Sequence, residues 1–398
     1  MQSGCWPVSF ESNAVKSHLN LKARSERISD RMRRRAFLAS VSRAALAFPF
    51  FPLLLRAEGN QTSGQLKDRK AWDALIANLE TQIPKWMEDS ILPGLSMLMI
   101  KDAKVFWRRG FGFRDSASKA PVDNDTLFEA GSVSKTVFAY AVMKLCEKGI
   151  MDLDTPLTHY TSERFLEGDP RLELITARRV LSHTSGFQNW RSEKKPLQIQ
   201  FNPGEKFSYS GEGYSYLQSV LTHLTGQPIE AYMKANIFVP FGMASTGYIW
   251  NEMFDKHAAR PHDREGKPFP NKKRTAQDVA RYAAAGDLHT TPTDYAKFLI
   301  EVIEPKKPDA FRLNQKSLTE MVRPQVKVND STSWALGWEI EHTPRGNFIG
   351  HGGDNKGFHA FAVASPEHKS GYIIMTNGDN GTDVLKKVME TINRFLTT

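Results

Sequence analysis

Trp72, Leu75, Ile76, Leu79, Ile83 and Trp86 recur at three- and four-residue intervals, so residues 71–90 read as one face of a helix, with Pro84 placed to interrupt it. Pro93-Gly94 then makes a turn, and two β-prone runs at 95–100 and 105–112 flank Lys101-Asp102-Ala103-Lys104, which predicts a hairpin. From 132 to 147 the residues are helix-compatible and rich in apolar groups, and Gly149 stands where a C-terminal stop belongs. The middle of the chain, about 140–285, carries mostly helix and loop signals. Asp152–Leu157 reads as a turn into a further helix, and a glycine-rich loop at 202–213 opens another from about 214 to 224. Strand signals return at 336–340, 347–353, 358–364 and 372–377, before a closing helix at 383–395. There are no internal repeats and no βαβ alternation with a phosphate loop, so nucleotide binding has no support.

Composition, with 24% charged and 40% hydrophobic residues in 398, is that of a globular protein with a substantial core. The net charge of +9 suggests a polyanion partner until it is located: residues 1–57 hold ten Lys/Arg against three Asp/Glu, leaving +2 for the rest. The body has no basic stripe with interleaved aromatics, which argues against nucleic acid. The leader itself reads as an export signal. Arg33-Arg34-Arg35 precedes an apolar run from Ala44 to Leu55, with Ala57 shortly after. Arg34-Arg35-x-Phe37-Leu38 resembles the twin-arginine form, which implies a periplasmic or extracellular destination. Twelve apolar residues span about 18 Å as a helix, too short for a stable transmembrane span. Residues 1–31 match neither signal nor domain, and Met32 is an alternative start. Cys5 lies in this region, so the body holds only Cys146, which reads as a small core residue; no internal disulfide, metal cluster or cofactor is implied.

The candidate chemistry centres on Phe128-Glu129-Ala130-Gly131-Ser132-Val133-Ser134-Lys135-Thr136. Ser132 falls in the first turn of a helix, where unpaired backbone N–H groups point outward. Lys135, three residues on, shares its face. A serine hydroxyl is a poor nucleophile until a base takes its proton, and a desolvated lysine can serve. The N–H of Ser132 can in turn hold the oxyanion. Ser134 is a weaker nucleophile candidate, because the adjacent Lys135 points elsewhere. Ser-x-x-Lys alone equally describes a helix cap with a surface lysine. His183, among small polar residues, reads as a hydrogen-bonded loop anchor rather than a base. Tyr209 in the 202–213 loop is either a core tyrosine or, beside ammonium groups that favour its phenolate, a base.

Three stations stand in order: Ser132-x-x-Lys135, Tyr209-Ser210-Gly211, and His351-Gly352-Gly353 before Asp354. Together they resemble the penicillin-recognising serine hydrolases: the class C β-lactamases, D-alanyl-D-alanine peptidases and related esterases. The stretches 128–136, 181–187, 240–243 and 284–294 look like the same family, so the resemblance covers about 70–398.

The resemblance implies an α+β fold, an antiparallel sheet built from both chain ends and flanked by helices. The sheet region spans about 70–135 and 286–398, with a mostly helical region, about 140–285, inserted between. It implies Ser132 as nucleophile, Lys135 as its proton partner and Tyr209 as general base. His351 takes the strand position usually held by lysine or histidine, and the N–H groups of Ser132 and Asp354 form the oxyanion site. Gly352 and Gly353 complete the third motif. Gly211 stands where the family usually has Asn, and Gly352 where it has Thr or Ser, so two substrate hydrogen bonds, about 1.5–3 kcal/mol each to a charged group, are missing. His351 can meet an anion only when protonated. The expected function is an exported serine acyl hydrolase working through an acyl-enzyme on small ester, D-amino-acid peptide or β-lactam-like substrates. A true class C-like β-lactamase or D-alanyl-D-alanine carboxypeptidase, and a non-catalytic binding protein on the same scaffold, are the alternatives.

Overall fold

The computed structural model describes residues 69–397; the export signal expected within 1–57 lies outside the described residues. Short hydrophobic runs with opposed faces build the central element. Strands β1 (Gly94–Lys101), β2 (Lys104–Asp115) and β3 (Ala120–Pro121) come from the N-terminal side. A small ribbon pairs β4 (Phe128–Glu129) with β5 (His289–Thr290). Six more come from the C-terminal side: β6 (Val326–Lys327), β7 (Thr332–Trp334), β8 (Glu339–Thr343), β9 (Gly346–Asn355), β10 (Phe358–Ser365) and β11 (Ser370–Thr376). The main sheet has nine strands in the order β3-β2-β1-β11-β10-β9-β8-β7-β6. The two sides of the chain meet within it, where β1 pairs antiparallel with β11, Leu95 opposite Thr376.

Both faces of the sheet are covered, so alternate residues serve two cores. Leu95, Met97 and Met99 of β1 pack with Ile374 of β11 against the helix Arg69–Asp89 (Leu75, Leu79, Ile83) and the closing helix Gly381–Thr397 (Val384, Val388). Leu98 and Ile100 face the opposite way, into a larger core shared with the helix Ser134–Glu147 and with helices further along the chain. The expected 101–104 hairpin forms, with Asp102 and Ala103 both at positive φ and the Ala103 N–H held by the Lys369 carbonyl at 2.8 Å.

Two local expectations are corrected. Pro84 does not interrupt the first helix, which runs unbroken from Arg69 to Asp89. An interior proline costs about 3 kcal/mol, whereas burial of Leu79, Ile83 and Met87 on the same face returns about 1.5–3 kcal/mol each. The helix expected after Leu157 is a single 3₁₀ turn, Leu157–His159; just beyond it the Thr161 hydroxyl accepts from the Glu163 N–H at 3.1 Å, a side-chain bond that competes with a continuing helix. The stretch between the sheet halves otherwise holds the helices Gly211–Thr225 and Ala276–Gly286, with shorter helical segments before and between them. Among the described residues no helix is long and apolar enough to cross a membrane.

One contact ties these parts together at the site. A 3₁₀ turn, Gly131–Val133, carries Ser132 into the Ser134–Glu147 helix and lies directly against β9. A Cβ on Gly353 would sit 2.0 Å from the Ala130 carbonyl oxygen, and one on Gly131, at φ +52°, would sit 2.6 Å from the Asp354 nitrogen. Only glycines allow this backbone-to-backbone approach. Gly353→Ala is therefore expected to destabilise the fold by about 1–3 kcal/mol in urea unfolding; an unchanged unfolding midpoint would contradict the contact.

Candidate active site

Ser132 and Lys135 meet as the helical spacing requires. Lys135 Nζ lies 3.1 Å from Ser132 Oγ and donates at 2.5 Å to the carbonyl of Ala285, at the end of the Ala276–Gly286 helix. The Lys135 side chain is fully buried. Desolvation lowers its pKa to about 7, against a smaller opposing pull from Asp287. Near neutrality a large share of this amine is therefore uncharged. Ser134 is occupied elsewhere: its hydroxyl donates to the Gly131 carbonyl at 2.5 Å and accepts from the Leu288 N–H at 3.1 Å.

Tyr209 joins them from the loop before the Gly211–Thr225 helix. Its hydroxyl is buried and faces the Ser132 side chain closely enough for that group to favour the anion, yet it makes no well-formed hydrogen bond. The expectation that ammonium groups favour the phenolate is corrected. Burial dominates and pushes the phenol well above its ordinary range, with Glu339 adding to the rise. Lys135 Nζ sits over the ring face, 5.0 Å from the centroid, where it packs against the π-system.

His351 is on β9 at 2% exposure. Desolvation, with Lys135 nearby, lowers its pKa to about 3, so it is neutral at ordinary pH. The sequence leaves its charge open; burial makes it a neutral imidazole. Its Nδ1 lies 2.6 Å from the Gly352 carbonyl, which requires the proton on Nδ1 and leaves the buried, unpartnered Nε2 as an acceptor. Gly352 presents no side chain. Asp354 pairs with His359 one step beyond the Asn355–Phe358 turn pair, so its N–H points out of the β9–β10 ladder. That N–H lies beside the Ser132 turn through the Gly131–Gly353 contact. The Asp354 carboxylate turns away to His359 Nδ1 at 3.0 Å.

Gly211 is not a loop residue: it begins the Gly211–Thr225 helix, capped by Ser210, whose hydroxyl accepts from the Gly213 N–H at 3.0 Å. The indole of Trp190 fills the space beside it, 2.2 Å from where a Cβ would be. His183 behaves as the expected anchor. Its Nδ1 accepts from the Ser210 N–H at 3.1 Å, and its ring lies 4.1 Å from the Tyr209 ring centroid to centroid.

Sequence reasoning misses a buried charge network behind the site. Arg274 pairs with both oxygens of Glu129 at 3.0 and 3.1 Å and with Asp287 at 2.6 Å. Asn355 donates to Glu129 at 2.7 Å and to the Gly286 carbonyl at 3.0 Å. Arg274 holds the Glu129 carboxyl below its usual range, against desolvation, whereas burial raises Asp287. The network fastens the 285–287 turn, which holds Lys135, to the strand preceding Ser132. Arg274 and Glu129 are 145 residues apart, and the signals in the chain are the family-like stretches 128–136 and 284–294, which hold Glu129 and Asp287 but not Arg274.

Against this geometry, the family model described as Beta-lactamase matches residues 76–390. Protein flp of Staphylococcus aureus (strain MRSA252) is 21% identical over 339 residues, covering 79% of this chain; the chain spans only 65% of that relative's length. Penicillin-binding protein 4* of Bacillus subtilis (strain 168) is 23% identical over 339 residues, covering 76% of this chain and 72% of its own. Among solved structures, a β-lactamase/D-alanine carboxypeptidase from Pseudomonas syringae superposes with a TM-score of 0.71 at 20% identity, over 81% of this chain and 99% of that one. The octameric penicillin-binding protein homologue from Pyrococcus abyssi gives 0.67 at 24%, over 80% and 77%. These structures share the mixed fold with its large antiparallel sheet. The chain belongs to the Beta-lactamase family of serine hydrolases.

Proposed function

We propose that this chain is an exported acyl hydrolase whose nucleophile is Ser132 and whose proton acceptor is Lys135. The observation that carries the reading is the buried Lys135 amine, 3.1 Å from Ser132 Oγ with its pKa lowered to about 7. Neutral Lys135 takes the hydroxyl proton as Ser132 Oγ bonds to the substrate carbonyl carbon. The oxyanion forms against the N–H groups of Ser132 and Asp354. As the carbonyl–oxygen or carbonyl–nitrogen bond breaks, the proton held by Lys135 passes to the leaving atom, while the Tyr209 hydroxyl, kept protonated by burial, donates a hydrogen bond to that atom. Water then releases the acyl group by the reverse sequence.

A neutral His351 and a bare Gly352 favour substrates without a carboxylate beside the scissile bond. Small neutral esters are thus preferred over D-amino-acid peptides and β-lactams. Export by the 1–57 leader, with 70–398 as the hydrolase domain, is part of the same proposal.

Intact-mass labelling tests it. A serine-reactive phosphonate is expected to add once to the wild type and not to Ser132→Ala, and a penicillin to add weakly or not at all. A stable penicillin adduct would favour a penicillin-binding enzyme, and no adduct with either would leave a binding protein. The pH dependence is set by the sign of the Lys135 shift. Only the uncharged amine accepts a proton, so acylation rises with pH through about 7 and levels above it. Tyr209→Phe is expected to slow turnover by about 10²-fold while keeping that rise; unchanged turnover would remove Tyr209 from the mechanism.

A further inference from the structure

Two walls border the proposed site. One is the Tyr209 loop running into the Gly211–Thr225 helix; the other is the Ala276–Gly286 helix, whose end holds Lys135. Two aromatic side chains join these walls. Trp190 covers Gly211, two residues from Tyr209, and meets Tyr282 edge to face, with ring centroids 5.5 Å apart and planes at 80°. Tyr282 lies one turn before Ala285 on the Ala276–Gly286 helix. Both rings are partly exposed, Trp190 packing on its inner side against the larger core.

Trp190 is held there by neighbours on both sides. Gly211 donates to the Asn189 side chain at 2.8 Å, and Gly211 and Glu212 both donate to the Asn189 backbone carbonyl at 3.1 and 3.0 Å. Glu212, fully buried, accepts from the Arg191 backbone at 2.9 Å and from its guanidinium at 2.8 Å. The residues on either side of Trp190 are thus pinned to the first turn of the helix that Gly211 starts. An indole edge at 2.2 Å leaves no room for any side chain at position 211 unless Trp190 moves. Where a side-chain amide would stand at position 211, the Trp190 ring stands instead.

We infer that Trp190 and Tyr282 form an acyl-group subsite selecting esters with a flat, apolar, aryl-bearing acyl moiety. The inference rests on the acyl-hydrolase reading and names the substrate class for that site. Aromatic faces stack on aryl groups and offer nothing that replaces the hydrogen bonds of a polar amide.

The test compares kcat/KM for 4-nitrophenyl phenylacetate and 4-nitrophenyl acetate, each divided by its uncatalysed hydrolysis rate. The full chain, Trp190→Ala and Trp190→Phe are used, with thermal unfolding as a folding check. The wild type is expected to prefer the phenylacetyl ester by about tenfold or more. Trp190→Ala should bring that ratio close to one, mainly through KM, and Trp190→Phe should retain most of it. A wild-type ratio near one, or a ratio unchanged in Trp190→Ala, overturns the subsite; so does loss of the ratio in Trp190→Phe to the level of Trp190→Ala. Phosphonate labelling of Ser132 separates the two failures. Labelling with a flat ester ratio sinks the subsite alone, whereas no labelling and no turnover of either ester sinks the hydrolase reading with it.

Discussion

An amine taken out of water is the constraint on which the rest of this structure depends. Lys135 is enclosed among the Tyr209 and Tyr214 rings, the Ala285 carbonyl and the Ser132 hydroxyl. Asp287, the anion that raises its pKa, is itself paired with Arg274 and makes no ion pair with the amine. That separation matters, because a direct ion pair would keep the amine charged and useless as a base. The cost falls on stability. The unfolded chain holds the lysine proton between pH 10.5 and about 7 while the folded chain does not, so folding weakens as pH falls through that window.

Other parts of the fold can be understood as support for this enclosure. The Gly131–Gly353 contact brings the turn bearing Ser132 against β9, and Glu129, Arg274, Asp287 and Asn355 lock the second backbone segment that the amine needs. The same closeness that desolvates Lys135 keeps Tyr209 protonated and His351 neutral. Burial therefore separates roles within one pocket: an amine able to accept a proton, a phenol able to donate a hydrogen bond, and an imidazole that presents only an acceptor nitrogen.

Much of this is legible in the chain because it depends on local periodicity. The i, i+3 relation of Ser132 and Lys135, the hairpin at Asp102-Ala103 and the strands around His351 all come from spacing and turn chemistry. What sequence cannot supply is the sum of long-range burial. The charge on Tyr209 is not readable from the chain, because its sign depends on whether Lys135 meets the hydroxyl or the ring face. Pro84 reads as a break until the apolar face across it is seen packed on the sheet. Gly211 reads as a missing side chain, and only the fold shows that Trp190 occupies the vacated space. Arg274 carries no sign of its role, since an isolated arginine far from its partners looks like any surface charge.

The most direct test is a titration of Lys135 itself. Carbon-13 labelling of lysine side chains, with Lys135 assigned by comparison with Lys135→Met, would follow its Cε shift with pH in the folded enzyme. An inflection near 7 is the expected result. An inflection near 10.5, the ordinary value for a solvated lysine, would show an amine still charged at neutral pH and would contradict Lys135 as the acceptor of the Ser132 proton.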